Sequence, residues 1–332
     1  MSMDREIDFA RAHLGSDAVL TEIAGDASTR RFYRVRGKSA TAVLIAHGQP
    51  LPSDAPFFSN HRIMESIGVP VPALLARSEA DGMVLVEDFG DLTLQLQIGG
   101  PATVALAGDL YDQACGLIAL LQSRAPEVIR EDDFAARNAL DRDRFLFELG
   151  HFQRHFIAGL RDLHPTGPEA VALELFFAEL ASSCDIQARV YCHRDYQSRN
   201  LMVVQRHLKL IDFQDARMGP YTYDAASLFR DSSLDIDEEL TRRGLDRLLA
   251  ATAAPLGIGN EEFRRDFDVM ALQRNIKDLG TFGYMATVRG RREYLAYVPR
   301  TIASVRRTMV RDRRWHDAYA PMERYALGWT PA

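Results

Sequence analysis

The sequence predicts an α+β fold of two lobes: a small antiparallel sheet carrying one packed helix, then a larger and mainly helical lobe. Three observations carry this. Short β-type runs crowd the first part of the chain, helix-period segments dominate after Gly90, and the composition shifts between them at VEDFGD (86–91). A chain of 332 residues is also long for one core and ordinarily divides.

Taken in order, the residues up to about His13 read as a short amphipathic helix. Extended runs follow at 18–24, 31–36 and 40–46, and Gly37-Lys38-Ser39 between the last two suits a tight hairpin. APFFSNHRIMESIG (55–68) has helical character and stops at Gly68 before Val69-Pro70. VPVPALL and DGMVLVEDF return to strand pattern. This order places a first lobe at 1–90, a connecting segment at about 87–91 and a second lobe at 91–332. In the second lobe, helical periodicity covers roughly 101–124, 141–161 and 168–188, and again from Tyr223 onward. Short strands at 189–193, 201–204 and 208–212 interrupt it.

Composition narrows the function classes. The net charge of −6 argues against a general nucleic-acid binder. No window is apolar enough for a membrane span, and the acid-bearing N-terminus does not read as a signal peptide. Cys115, Cys184 and Cys192 form no CxxC pair, so reduced thiols in a cytoplasmic protein are expected. No obligate protein partner is implied. Basic charge is almost all arginine; the only lysines are Lys38, Lys209 and Lys277.

HRDYQSRN (193–200) lies between two strand-like runs, and LIDFQDA (210–216) follows. The first matches H-R-D-x-x-x-x-N, in which the Asp receives an acceptor proton and the Asn binds magnesium. Asp195 and Asn200 take those positions. Asp212, at the end of an apolar strand, offers the second metal-binding oxygen. Magnesium needs little more from a protein, because phosphate oxygens and water complete its shell. The alternative is two unrelated polar turns.

These motifs resemble the aminoglycoside-phosphotransferase and choline-kinase-like superfamily. GDASTRRFYRV (25–35), LVEDFGD (85–91), LIDFQDARMGPYTYDAASLFRDSS (210–233) and LQRNIKDLGTF (272–282) are most similar to its bacterial anomeric N-acetylmuramate/N-acetylglucosamine kinases. The resemblance implies a two-lobe, protein-kinase-like fold, ATP and Mg2+ as cofactors, a small sugar as partner and a role in cell-wall sugar recycling. It also implies that Asp195 is the base, that Asn200 and Asp212 hold the metal, and that Glu87, Asp88 and Phe89 form a hinge reading adenine. Without the resemblance, a solvated turn is the alternative for Glu87 and Asp88.

The phosphate cradle departs from the family of protein kinases. IAGDASTRR has one glycine, so Ser28 and Thr29 either help form an anion-binding turn or simply close a hairpin. ATAVLIAHG lacks the strand lysine. Arg30 or Arg31 could replace it, or both could face solvent. Glu65 would be the acidic partner on the packed helix, or a solvated position. Asp212-Phe213-Gln214 replaces D-F-G, and no A-P-E segment follows.

Acceptor recognition is assigned to the helical lobe. Asp224 reads as a helix cap or loop anchor. By resemblance Arg230 and Asp231 lie near the acceptor, where a structural ion pair is the alternative. Gln273, Arg274 and Lys277 share a helix face, and Arg274 is the expected substrate contact. His151 and His155 have metal-pair spacing, but no Glu follows the first His, so a solvated helix face is the reading adopted. The arginine-rich stretch 289–314 reads as an amphipathic helix, or a surface for an anionic partner. Two rivals remain for the function: the same chemistry on an aminoglycoside, choline-like or other small alcohol, and a nucleotide-binding pseudokinase.

Overall fold

A computed structural model of the chain describes residues 3–23, 30–99 and 104–330, with no account of side chains 104 and 105. The first lobe contains α1 (Asp4–Leu14), β1 (Val19–Ile23), β2 (Arg31–Arg36), β3 (Thr41–Ala46), α2 (Pro56–Ser66), β4 (Leu74–Ser78) and β5 (Met83–Glu87). The five strands form one antiparallel sheet in the order β1-β2-β3-β5-β4.

Strand alternation decides what each face does. Tyr33, Val35, Ala42, Leu44, Met83 and Leu85 point to one face, where Ala10, Phe9 and Leu14 of α1 cover them. Phe32, Val43, Ile45, Val84 and Val86 point to the other and join the main core with Phe57, Ile63 and Met64 of α2. The sheet therefore carries two packed helices, one per face, where the sequence pattern suggested one. The apolar side of α1, only a few residues long, is enough to close the outer face.

The second lobe begins with α3 (Leu94–Gly99), α4 (Val104–Arg124), α5 (Phe134–Arg137), α6 (Arg142–Phe152) and α7 (Gly167–Asp185). A π-helical stretch, Gln153–Leu160, continues α6. Then come β6 (Arg189–Cys192), β7 (Leu201–Val204), β8 (His207–Leu210) and β9 (Arg217–Pro220). β6 pairs with β9 and β7 with β8, both antiparallel, so the two polar motifs emerge side by side. The chain ends in α8 (Tyr223–Phe229), α9 (Glu238–Leu248), α10 (Asn260–Thr287), α11 (Val298–Arg311) and α12 (His316–Met322).

α10 is the spine of this lobe. Gly280 and Gly283 let its backbone come against Phe152 and His155: a Cβ on Gly280 would lie 2.7 Å from the Phe152 Cα, and one on Gly283 2.4 Å from the His155 carbonyl oxygen. α11 buries Ile302, Val305 and Met309, while Arg307 pairs with Glu238 and Arg306 with Glu323. No helix among the described residues is long and apolar enough to cross a membrane. All three cysteines are buried and unpaired, and burial pushes the Cys115 thiol up to about 12.

Candidate active site

The loop between β6 and β7 is fixed by two carboxylates from beyond it. Asp224, fully buried at the start of α8, accepts the His193 N–H at 2.7 Å and the Arg194 N–H at 3.0 Å. Burial pushes its carboxyl up, while His193 and the two N–H groups oppose that. Asp231, after α8, accepts from the Ser198 N–H and hydroxyl at 2.9 and 2.6 Å through one oxygen. Its other oxygen accepts from the Ser233 N–H and hydroxyl at 2.8 and 2.6 Å. Asp231 therefore anchors the loop with both its oxygens engaged, which favours the structural alternative over a sugar ligand. His193 bonds the Ile211 carbonyl through Nε2 at 3.0 Å and ties this loop to the one bearing Asp212.

Within that frame Asp195 remains partly open, with 24% of its side chain exposed. Arg194 Nη1 lies 3.2 Å from its Oδ2, and Lys277 Nζ, from α10, lies 3.8 Å from its Oδ1. Burial pushes the Asp195 carboxyl up, but Arg194, Lys277, Arg274 and His193 outweigh it and hold the group well below the usual carboxylate range. Lys277 is shifted down, chiefly by burial and by Arg274.

Arg194 sits at a φ of 77°, a region most side chains avoid. From there its guanidinium reaches Asp195, Asp215 at 3.3 Å and Glu148 of α6 at 3.7 Å. It thus joins the two polar loops to the helical core.

The Asn200 side-chain N–H donates to the Asp195 carbonyl at 2.8 Å, which leaves its amide oxygen for another partner. Asp212, at a φ of 63°, accepts through Oδ1 from Arg30 at 3.0 Å and from Gln214 at 2.9 Å. No group of three or more His, Cys, Asp or Glu among the described residues could hold a metal. An amide oxygen plus a carboxylate oxygen suits a hard cation whose remaining ligands are phosphate and water.

Strand parity settles which arginine faces the cleft. Arg30 lies on the same side as Phe32 and meets Asp212, whereas Arg31 turns to the opposite face and pairs with Glu6 of α1. Arg31 is therefore a link within the first lobe and does not reach the phosphate side. Ser28 and Thr29 lie outside the described residues.

α2 contributes through Asn60 rather than Glu65. The fully buried Asn60 amide donates to the carbonyls of Gln214 at 2.9 Å and Ala216 at 3.0 Å, and its oxygen accepts from Tyr191. Phe213 packs between Phe57 and His61, with ring centroids 5.2 and 5.8 Å away. Glu65 is 67% exposed, with its nearest ionic neighbour His61 at 3.9 Å. A polar residue in the apolar stripe Phe57–Asn60–Met64 was the available signal.

At the connecting segment, Asp88 is clasped by Arg34 (2.7 and 3.1 Å), which also holds Asp91. Glu87 meets Lys209 at 3.2 Å, and that ammonium lies over the Phe89 ring at 4.3 Å. These side chains lock the segment.

The model of the phosphotransferase enzyme family matches residues 19–263, most of the chain. The chain belongs to this family.

The resemblance read from the motifs is borne out. A Pseudomonas aeruginosa relative named N-acetylmuramate/N-acetylglucosamine kinase is 32% identical over 85% of this chain and 81% of its own. A Neisseria meningitidis relative of the same name is 29% identical over 92% and 90%. Among solved structures, an aminoglycoside phosphotransferase in complex with gentamicin superposes with a TM-score of 0.62 at 15% identity, covering 91% of this chain and 97% of its own. A choline/ethanolamine kinase family protein from Mesorhizobium loti gives 0.61 at 13% identity, covering 96% and 99%. At those identities the superpositions bear on the fold, which is the expected two-lobe one.

Two of the phosphotransferase's expected acceptor residues lie differently from the sequence reading. Arg230 stacks over Phe267 at 5.3 Å and lines a cavity of about 140 Å³ with Asn275, Arg300 and Arg307, whose lining does not include Asp195. Arg274 is buried, stacks over Tyr223 at 4.7 Å and donates to the Arg194 carbonyl at 3.1 Å, so it supports the loop from behind. Lys277, its neighbour one turn on, is the α10 cation that meets Asp195. His151 and His155 are not a solvated face: their rings are 4.3 Å apart and both pack on Tyr284.

Proposed function

We propose that this phosphotransferase is a Mg-ATP-dependent kinase acting on the anomeric hydroxyl of N-acetylmuramate or N-acetylglucosamine, with residues 1–90 handling the nucleotide and 91–332 the acceptor. The observation that carries the chemistry is Asp195, held ionised by cations on a loop that two buried carboxylates fix. The acceptor class is supported by the names of the two bacterial relatives and by the charges that act on Asp195. Among them Lys277, on α10 and 3.8 Å from Asp195, makes a poor setting for a polycationic aminoglycoside or choline.

In the reaction, the anomeric oxygen bonds to the γ-phosphorus of ATP as the bond to the bridging β–γ oxygen breaks and ADP leaves. Asp195 accepts a hydrogen bond from the hydroxyl, aligns its lone pair and takes the proton as negative charge moves to the phosphoryl group. An anomeric hydroxyl is more acidic than an ordinary alcohol, so a weakly basic carboxylate is sufficient. Lys277 lies where it can hold charge developing at the acceptor oxygen, and Arg30 where it can meet the phosphates beside Asp212. A magnesium ion held by Asn200 and Asp212 would supply charge neutralisation on the β- and γ-phosphates.

ADP release with Mg-ATP and a panel of N-acetylated amino sugars, aminoglycosides and choline tests the reading. Turnover confined to the amino sugars is expected. ATP binding with no turnover on any acceptor would point instead to a nucleotide-binding pseudokinase.

A further inference from the structure

Between Val269 and Ala286 every residue of α10 is buried except Lys277, Thr281 and Tyr284. Their spacing of four and three places them on one stripe of the helix. The stripe begins at the reaction centre, because the Lys277 ammonium lies 3.8 Å from Asp195. From Lys277 to Tyr284 it runs about 10 Å along the helix axis, at the usual rise per residue.

The far end of the stripe is aromatic. His151 and His155 lie with their rings 5.6 and 5.1 Å from that of Tyr284. The close backbone approach at Gly280 and Gly283 brings them there, since any larger residue would push the two helices apart. His155 falls in the π-helical stretch that continues α6, and local widening of this kind recurs at functional sites. Burial pushes both imidazoles down, so they stay neutral at neutral pH and each can donate and accept a hydrogen bond. All three rings are half-buried and present apolar faces beside polar edges.

We infer that Lys277, Thr281 and Tyr284, walled by His151 and His155, form the acceptor groove, and that the three-ring cluster is the subsite for the end of the sugar remote from the reacting hydroxyl. A pyranose suits this chemistry. Its C–H face lies against an aromatic ring, and its hydroxyls exchange hydrogen bonds with neutral imidazoles. The inference rests on the sugar-kinase reading above and adds which residues set acceptor affinity. Tyr284 is then a specificity residue, remote from the nucleotide.

The test is steady-state kinetics of Tyr284→Ala and Tyr284→Phe with N-acetylglucosamine and N-acetylmuramate, alongside thermal melts. The alanine variant should raise the sugar KM about tenfold, with the KM for ATP, kcat and Tm little changed. The phenylalanine variant should restore most of the affinity. An unchanged sugar KM in the alanine variant, or an equal rise in the KM for ATP, overturns the subsite. Wild-type protein that phosphorylates neither sugar overturns the sugar-kinase reading itself, and the groove with it, which separates the two failures.

Discussion

In the helical lobe the reacting loop is held by buried carboxylates that accept from its own backbone, Asp224 at the front and Asp231 at the rear. In the sheet lobe the charged groups reach the cleft on long side chains: Arg30 to Asp212 and Glu87 to Lys209. Short bonds to backbone fix position closely, whereas extended side chains across a cleft leave room for rearrangement. The acceptor side is therefore built as a fixed template, and the donor side as a set of contacts that can adjust as nucleotide enters.

The sharpest break between chemistry and scaffold is at Asp195 against Asp224. Asp195→Ala should lower kcat by about a thousandfold or more, the range for a lost general base, in protein that still unfolds cooperatively. Asp224→Ala leaves two backbone N–H groups without their buried acceptor, and should cost about 2–4 kcal/mol in stability by chemical denaturation. If Asp224→Ala kept full stability, the fixed-template half of the comparison would be wrong.

On the adjustable side, Arg30→Ala should raise the KM for ATP about 30-fold, or ~2 kcal/mol, and leave the sugar KM alone. A matching rise in the sugar KM would show that the two sides are not separable. Arg31→Ala, which loses the contacts to Glu6 and the Tyr33 ring on the far face of the sheet, should leave both constants unchanged.

The smallest expected change in stability lies beside Arg30. Burial, helped by Arg30, pushes the His47 imidazole down to about 4. The folded state thus favours neutral His47, and the unfolded chain takes up the proton first as pH falls. Its contribution is fully present above about 6.5 and is lost on going down to about 4; the shift alone corresponds to roughly 3 kcal/mol, which solvent screening of this half-buried ring lowers to the order of 1–2 kcal/mol. Denaturation of His47→Gln at a series of pH values should show a shallower fall than wild type across that window; parallel curves would refute it.

How much was legible in the sequence follows from where each partner sits. Asp195 and Asn200 are read from one contiguous stretch between two strands, and Asp212 from the end of the next strand pair. The choice between Arg30 and Arg31 was open at the level of composition, yet period-two alternation past Tyr33 and Val35 contains the answer. Glu65 stays open between acidic partner and solvated position in the sequence because the rotational setting of α2 is fixed only by packing, which turns Asn60 inward and Glu65 to solvent. Asp231 resembled a substrate ligand because its partners, Ser198 and Ser233, become neighbours only when the loop folds back. His151 and His155 could not be placed without Gly280 and Gly283, which sit more than a hundred residues away and bring α10 against them.

The central claim is phosphoryl transfer to an anomeric hydroxyl aligned by Asp195. Phosphorus NMR of the product from Mg-ATP and N-acetylmuramate tests it most directly, through coupling between the new phosphate and the sugar protons. One product whose phosphate couples to the anomeric proton is expected, formed about a thousandfold more slowly by Asp195→Ala. A phosphate coupled to the C6 protons, or product formed undiminished by Asp195→Ala, would contradict it.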